Sequence, residues 1–290
     1  MGKKDYYRIV GSRVKPFMGW HYWSKGIECN TVGYENLPEE GQGIVIAATH
    51  PKPNCVHDVI LSLFSFEKDG REQTREVHWM VSEELFDHDV GFLLNHSKDY
   101  YDSLKNGEVS DAIPKWVGLA KWWDNKCHDG KFMKKTLEKT EQISLPVRID
   151  PETREVIFRG GLGYFRKLQE TVEPYLSIGD AIAFAVTGPY FGDKEPKSLV
   201  RLFGEGGLSD GASVLASMTQ VPIVPVAICD SPGMMEVRIG EPIDEHLRHK
   251  GGSFKENIKN LTLLIAESLD YELYKHRAIR EVLSDLQEYR

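Results

Sequence analysis

The chain has no Cys-x-x-Cys pair, and its four cysteines (Cys29, Cys55, Cys127 and Cys229) stand far apart along 290 residues. They read as reduced thiols in a cytosolic protein rather than as a disulfide framework. Basic charge is also in short supply. The formal net charge is −8, which argues against nucleic-acid binding through a general basic surface. A long apolar run is missing as well. The uncharged stretch from Gly211 to Cys229 approaches membrane-spanning length, but Thr219, Gln220, Pro222 and Pro225 break it. A helix-turn-strand unit explains it better. The start, MGKKDYYRIVGSRVK, lacks an apolar core of signal-peptide length, and Tyr6 stands where a myristoylation signal wants Ser or Thr.

What is there is a globular composition: 41% of residues are hydrophobic, enough to bury a sizeable core. GIVIAATH (43–50) is a nearly continuous apolar run, as expected of a strand buried on both faces. REVHWMVS, EVIFRGG, AIAFAVTG, VPIVPVAIC and MEVRIGEPI also read as strands, and SLVRLF as a further strand candidate. Helices are expected at DVILSLFSFEK (58–68), capped by Asp58, and at YFRKLQETVEPYL, DGASVLASMTQ and the amphipathic stretch from Phe254. Alternating strands and helices give an α/β domain with a largely parallel central sheet flanked by helices. Its ligands belong beyond the carboxyl ends of the strands, where His50 stands.

Charge is unevenly spread. Residues 1–30 hold Lys3, Lys4, Arg8, Arg13, Lys15 and Lys25 against only Asp5 and Glu28, interleaved with Tyr6, Tyr7, Phe17, Trp20, Tyr22 and Trp23. Such a mixture suits the headgroup level of a bilayer, so 1–30 reads as an amphipathic, interfacial helical segment at a membrane surface. Packing of the same aromatics on the domain is the plainer alternative. Residues 31–290 then form the main domain, with a helical insertion at about 95–145 containing the similar stretch IPKWVGLAKWW.

THPKPNCVHD (49–58) gathers the reactive side chains. His50 with Asp58 makes a base-and-carboxylate dyad if Pro51-Lys52-Pro53 folds as a turn; a histidine in a polar loop is the plain alternative. His50, Cys55, His57 and Asp58 are all acceptable zinc ligands, but His78, His88, His96 and Cys127-His128 look isolated, so no metal is expected. Nothing marks the Cys55 thiol as activated. GLSDG (207–211) matches the Gly-x-Ser-x-Gly elbow of serine hydrolases, with Ser209 followed by Asp230 and His246.

The order GYENLPEEGQGIVIAATHPKPNCVHD, VSEELF, EVIFRGG, LFGEGGLSDGASVLA, VPIVPVAI and VRIGEP resembles the glycerolipid acyltransferase family typified by lysophosphatidic acid acyltransferases, over roughly 30–245. The family's first block, His-x4-Asp, returns if Pro51-Lys52-Pro53 is an insertion between His50 and Asp58. Arg159 fits the second block better than Arg148. The third, Phe-Pro-Glu-Gly-Thr-Arg-Ser in the family, reads Phe203-Gly204-Glu205-Gly206-Gly207-Leu208-Ser209, without its proline, threonine and arginine. A rival for it lies around Thr187-Gly188. Val221-Pro222-Ile223-Val224-Pro225 matches the fourth.

The resemblance implies an acyltransferase-like fold and transfer of a fatty acyl group from an acyl thioester (acyl-CoA or acyl carrier protein) to a hydroxyl of a glycerolipid or lysophospholipid. His50 is the implied general base, oriented by Asp58. Arg159, Glu205, Gly206 and Ser209 are the implied substrate-binding residues. No cofactor beyond the acyl donor is implied, and the expected place is the cytoplasmic side of a membrane, peripherally. A Ser209 hydrolase or thioesterase and an inactive lipid-binding relative stand as alternatives. The sequence does not disclose acceptor, chain length or oligomeric state.

Overall fold

The computed structural model describes residues 28–39, 41–49, 66–68, 71–73, 75–82, 138, 141–149, 156–158, 162–187, 199–204, 207–231, 234–244 and 253–288. The strands are β1 (Glu28–Val32), β2 (Ile44–Ala48), β3 (Phe66–Lys68), β4 (Arg71–Gln73), β5 (Val77–Ser82), β6 (Ile143–Leu145), β7 (Val147–Ile149), β8 (Val156–Phe158), β9 (Ala181–Ala185), β10 (Ile223–Ser231) and β11 (Met234–Ile239). The helices are α1 (Leu162–Ser177), α2 (Leu199–Gly204), α3 (Gly211–Thr219) and α4 (Phe254–Glu288), with a 3-10 turn at Tyr34–Asn36.

Seven strands form one sheet in the order β1-β11-β10-β2-β9-β5-β6. Every pairing in it is parallel except β10 with β11. The α/β expectation therefore holds. β2 lies at the centre, and all five of its residues are buried, as its unbroken apolar run requires. Strand alternation divides them between two cores. Val45 and Ala47 join Leu168, Val172 and Leu176 of α1, Leu215 of α3 and Ile265 and Leu269 of α4. Ile44, Ile46 and Ala48 face the other way, with Trp79, Val226, Val237 and Leu37.

Glycine is required where the central strand begins. A Cβ on Gly43 would overlap the backbone of Leu176 at the end of α1, so only hydrogen lets that corner close on β2. At the other end of the sheet, Gly33 has φ 86° and a Cβ there would strike the Ile239 carbonyl of β11.

α4 starts with a reciprocal cap. The Ser253 hydroxyl accepts from the Glu256 amide, while Glu256 accepts from the Ser253 amide at 3.1 Å and its hydroxyl at 2.9 Å. The helix then buries Ile258, Leu261, Ile265, Leu269 and Leu273, the apolar stripe expected from its sequence. Hydrogen bonds from Ser253 hold the Glu256 carboxyl below its usual 4.5. A depressed carboxyl contributes stability that is present above about 4.5 and lost as pH falls through the lowered value. Ser253→Ala removes the hydroxyl but keeps the backbone amide, the larger cause, so it should move the Glu256 midpoint only part of the way up, read by NMR titration of its carboxyl carbon; an unmoved midpoint would contradict the hydroxyl's part in the cap.

Four expectations change. SLVRLF is not a strand: Leu199–Gly204 is the helix α2, whose first two amides donate to the Asp270 carboxylate at 2.7 and 3.0 Å. A carboxylate from α4 thus starts a helix where local propensity reads as strand. The helix expected over 58–68 does not reach its end, because Phe66–Lys68 pairs with Arg71–Gln73 around Asp69-Gly70, a favoured hairpin pair. The insertion at about 95–145 ends in an edge strand of the main sheet, β6, which pairs with β5. Finally, EVIFRGG supplies β8, but in a separate hairpin with β7 rather than in the sheet. The Tyr164 phenol at the start of α1 donates to the Ser144 carbonyl, tying α1 to β6; burial pushes its pKa up to about 12, so it stays a donor.

The interfacial segment expected at 1–30 lies almost wholly outside the described residues. Among the described residues no helix is long and apolar enough to cross a membrane.

Candidate active site

After β2 the next strand of the main sheet is β5, on the far side of β9. After β9 it is β10, on the far side of β2. The connections leaving these two neighbours therefore lead to opposite sides of the pair, so the carboxyl ends of β2 and β9 mark a switch in the strand order. That is where open α/β sheets take their ligands.

Three backbone segments meet at this rim. The Val186 amide donates to the Ala48 carbonyl at 2.9 Å, and the Ser209 amide donates to the Val186 carbonyl at 2.9 Å. Thr187 and Leu208 form an isolated antiparallel bridge beside them. Thr49, almost fully buried, ends the central strand. Its amide donates to Val226 O at 3.0 Å, and its hydroxyl accepts the Ile228 amide at 2.8 Å. The side chain thus takes the place of a ladder carbonyl one step beyond the last strand residue. His50 follows directly from this pinned position. The next helix, α3, begins two residues after Ser209, so its positive dipole end lies at the same rim and favours negative charge there.

The two rival third blocks converge. Sequence reasoning treats Phe203–Ser209 and the neighbourhood of Thr187-Gly188 as alternatives, yet the bridge between Thr187 and Leu208 places them side by side. Ser209 is exposed, and its hydroxyl accepts the Gly211 amide at 3.3 Å. The residues before it form α2 rather than a strand, so the strand-turn-helix context of a hydrolase elbow is not present. The fourth block runs beside the central strand: Ile223 exchanges hydrogen bonds with Ile243, and Pro225, whose carbonyl accepts the Gly240 amide, pairs with Ala47 one residue before the end of β2. It braces the strand that leads to the rim. His50, Asp58, Arg159, Glu205 and Gly206 lie outside the described residues.

The solved structure of the 1-acyl-sn-glycerophosphate (LPA) acyltransferase PlsC from Thermotoga maritima superposes on this chain with a TM-score of 0.50, covering 96% of this chain and 83% of the other. The two share a fold. At 16% identity the likeness extends to architecture alone. No family model and no curated protein matches the sequence.

A second histidine-carboxylate constellation occurs at the opposite, amino end of the strands, and sequence reasoning missed it. His78, the second residue of β5, is fully buried. Its Nδ1 faces the Glu141 carbonyl at 3.1 Å, its Nε2 faces the Asp180 carboxylate at 3.4 Å, and its ring packs against Tyr175 with centroids 4.1 Å apart. Glu76 completes the group. His78 had looked isolated because its partner is 102 residues away and only the parallel pairing of β5 with β9 joins them. The available signal was Glu76-Val77-His78 at the start of a strand, with two like-facing ligands at i and i+2. Asp180 and Thr187 bracket β9, which at about 3.3 Å per residue separates this group from the rim by roughly 20 Å. It is not the dyad expected of His50.

Proposed function

We propose that the chain is an acyltransferase that moves a fatty acyl group from an acyl thioester, acyl-CoA or acyl carrier protein, to a hydroxyl of a glycerolipid or lysophospholipid. The observation that carries this reading is the switch in strand order at β2 and β9, at whose carboxyl edge Thr49, the residue before His50 in the sequence, is pinned, in a fold shared with an LPA acyltransferase.

An alcohol is a weak nucleophile until a base removes its proton as it attacks. His50 takes the proton from the acceptor hydroxyl while its oxygen bonds to the thioester carbon, and then returns a proton to the departing thiolate. Asp58 holds the imidazole in the tautomer that accepts at the reacting nitrogen. Arg159 attracts a phosphate or carboxylate of a substrate. Glu205 and Gly206 shape the acceptor side, and Ser209, beside Val186 at the rim, offers a hydroxyl to the bound acceptor. The α3 amino terminus adds its partial positive charge at the same edge. The chemistry needs no covalent enzyme intermediate.

Both acyl chain and acceptor are lipids, so the site works at a bilayer surface, with the aromatic and basic residues of 1–30 as the contact on the cytoplasmic side. The functional test is incubation with labelled acyl-CoA or acyl carrier protein and a panel of lysolipids and alcohols. An ester product with at least one acceptor supports the reading. Lipid binding without turnover of any thioester supports an inactive relative instead.

A further inference from the structure

We propose that Glu76, His78 and Asp180 bind a divalent transition-metal ion of the zinc class at the amino end of the sheet. One nitrogen and two carboxylate oxygens, one from each residue, lie within 4.8 Å of one another. The elements that place them are the rigid ones. Glu76 and His78 flank Val77 at the start of β5, Asp180 immediately precedes β9, and the two strands pair as Val77 with Ala181 and His78 with Ile182.

The spacing of His78 and Asp180 suits a shared ion. Nε2 of His78 stands 3.4 Å from Asp180 Oδ2, longer than the roughly 2.7–2.9 Å of a charge-assisted N–H···O bond. A tetrahedron with ligand bonds of about 2.0–2.1 Å has an edge of about 3.4 Å. The imidazole is also already oriented. The Glu141 carbonyl can only accept, so Nδ1 donates to it and Nε2 is the nitrogen turned towards the carboxylates, the one an ion would take. Donation of the far ring N–H to a backbone carbonyl is the usual support of a metal-bound histidine. Tyr175 against the ring face limits its rotation.

Charge and donor type decide the class of ion. Two carboxylates beside a fully buried imidazole balance a dication, leaving a neutral group where burial penalises net charge. A nitrogen with two carboxylate oxygens is a zinc-type set; calcium and magnesium prefer oxygen alone. Glu76 is partly exposed, which gives the ion its entry side and a fourth position for water. Bound there, the ion fastens β5 to β9 in the folded chain and acts as a staple.

The test uses the full chain, stripped with a chelator, dialysed, and titrated with zinc, manganese or magnesium by calorimetry and thermal unfolding. One zinc per chain is expected, with a rise in Tm of several degrees and little response to magnesium. Glu76→Gln, an isosteric change at a partly exposed position, should weaken zinc at least tenfold, and His78→Ala about a hundredfold. Failure of the parent protein to bind zinc overturns the proposal. So does binding that both variants leave unchanged, which would mark an adventitious ion only. Binding that survives Glu76→Gln but disappears in Cys55→Ala or His57→Ala would place the ion in the 49–58 loop and overturn it equally. None of these outcomes depends on acyl transfer.

Discussion

His50→Ala is expected to lower acyl transfer by about 10²–10⁴-fold, the usual contribution of a positioned general base. Its Tm should stay close to that of the parent, because the central strand is anchored without it. Ile44 to Ala48 are buried in two cores, and Thr49 locks the exit of the strand to Val226 and Ile228. Ser209→Ala should cost less than about tenfold, since its hydroxyl serves the acceptor and takes no proton in the reaction. The measurement is the initial rate of ester formation at saturating and sub-saturating acceptor, with circular dichroism as the folding control. A serine hydrolase would reverse the pattern, with Ser209→Ala inactive and His50→Ala active.

The other histidine should fail in the opposite manner. His78→Ala, measured in metal-free buffer, is expected to lose about 3 kcal/mol or more of folding stability, the combined cost of a core cavity and of buried polar groups that lose a partner. The variant leaves the Asp180 carboxylate at 7% exposure facing an empty space, opens a gap beside Tyr175, and deprives the Glu141 carbonyl of its donor. Urea unfolding with an unchanged slope reads this out directly. A midpoint equal to that of the parent would show that the cluster at the amino end does not hold β5 to β9.

Much of this fold was legible because its strands are continuous apolar runs. Ile44 to Ala48 and Ala181 to Phe184 are buried on both faces, as short apolar runs in central parallel strands are. The α4 stripe was equally plain, since Ile258, Leu261, Ile265, Leu269 and Leu273 repeat at helical spacing. What escaped depends on contacts distant in sequence. Leu199–Gly204 is helical on account of Asp270, a carboxylate 71 residues further along. His78 finds Asp180 only after β9 has inserted beside β5. β8 reads like a core strand by composition, yet pairs with its immediate predecessor β7.

The candidate site shows the same division. That ligands belong beyond the carboxyl ends of the strands was legible from the alternation of strands and helices, whereas the order β10-β2-β9-β5 at the rim was not. Thr187 against Leu208 was not foreshadowed, because two segments that compete for one motif in the sequence need a bridge between them to be read as one place. The dyad proposed for catalysis, His50 with Asp58, rests on the residue types and on the resemblance that aligns them.

The most direct measurement follows a labelled acyl group supplied as its thioester while acceptor concentration is raised. The account predicts that label moves to the ester in proportion to acceptor occupancy, and stays on the thioester when His50 is alanine. Release of label as free fatty acid, indifferent to acceptor and to His50 but blocked by Ser209→Ala, would contradict it.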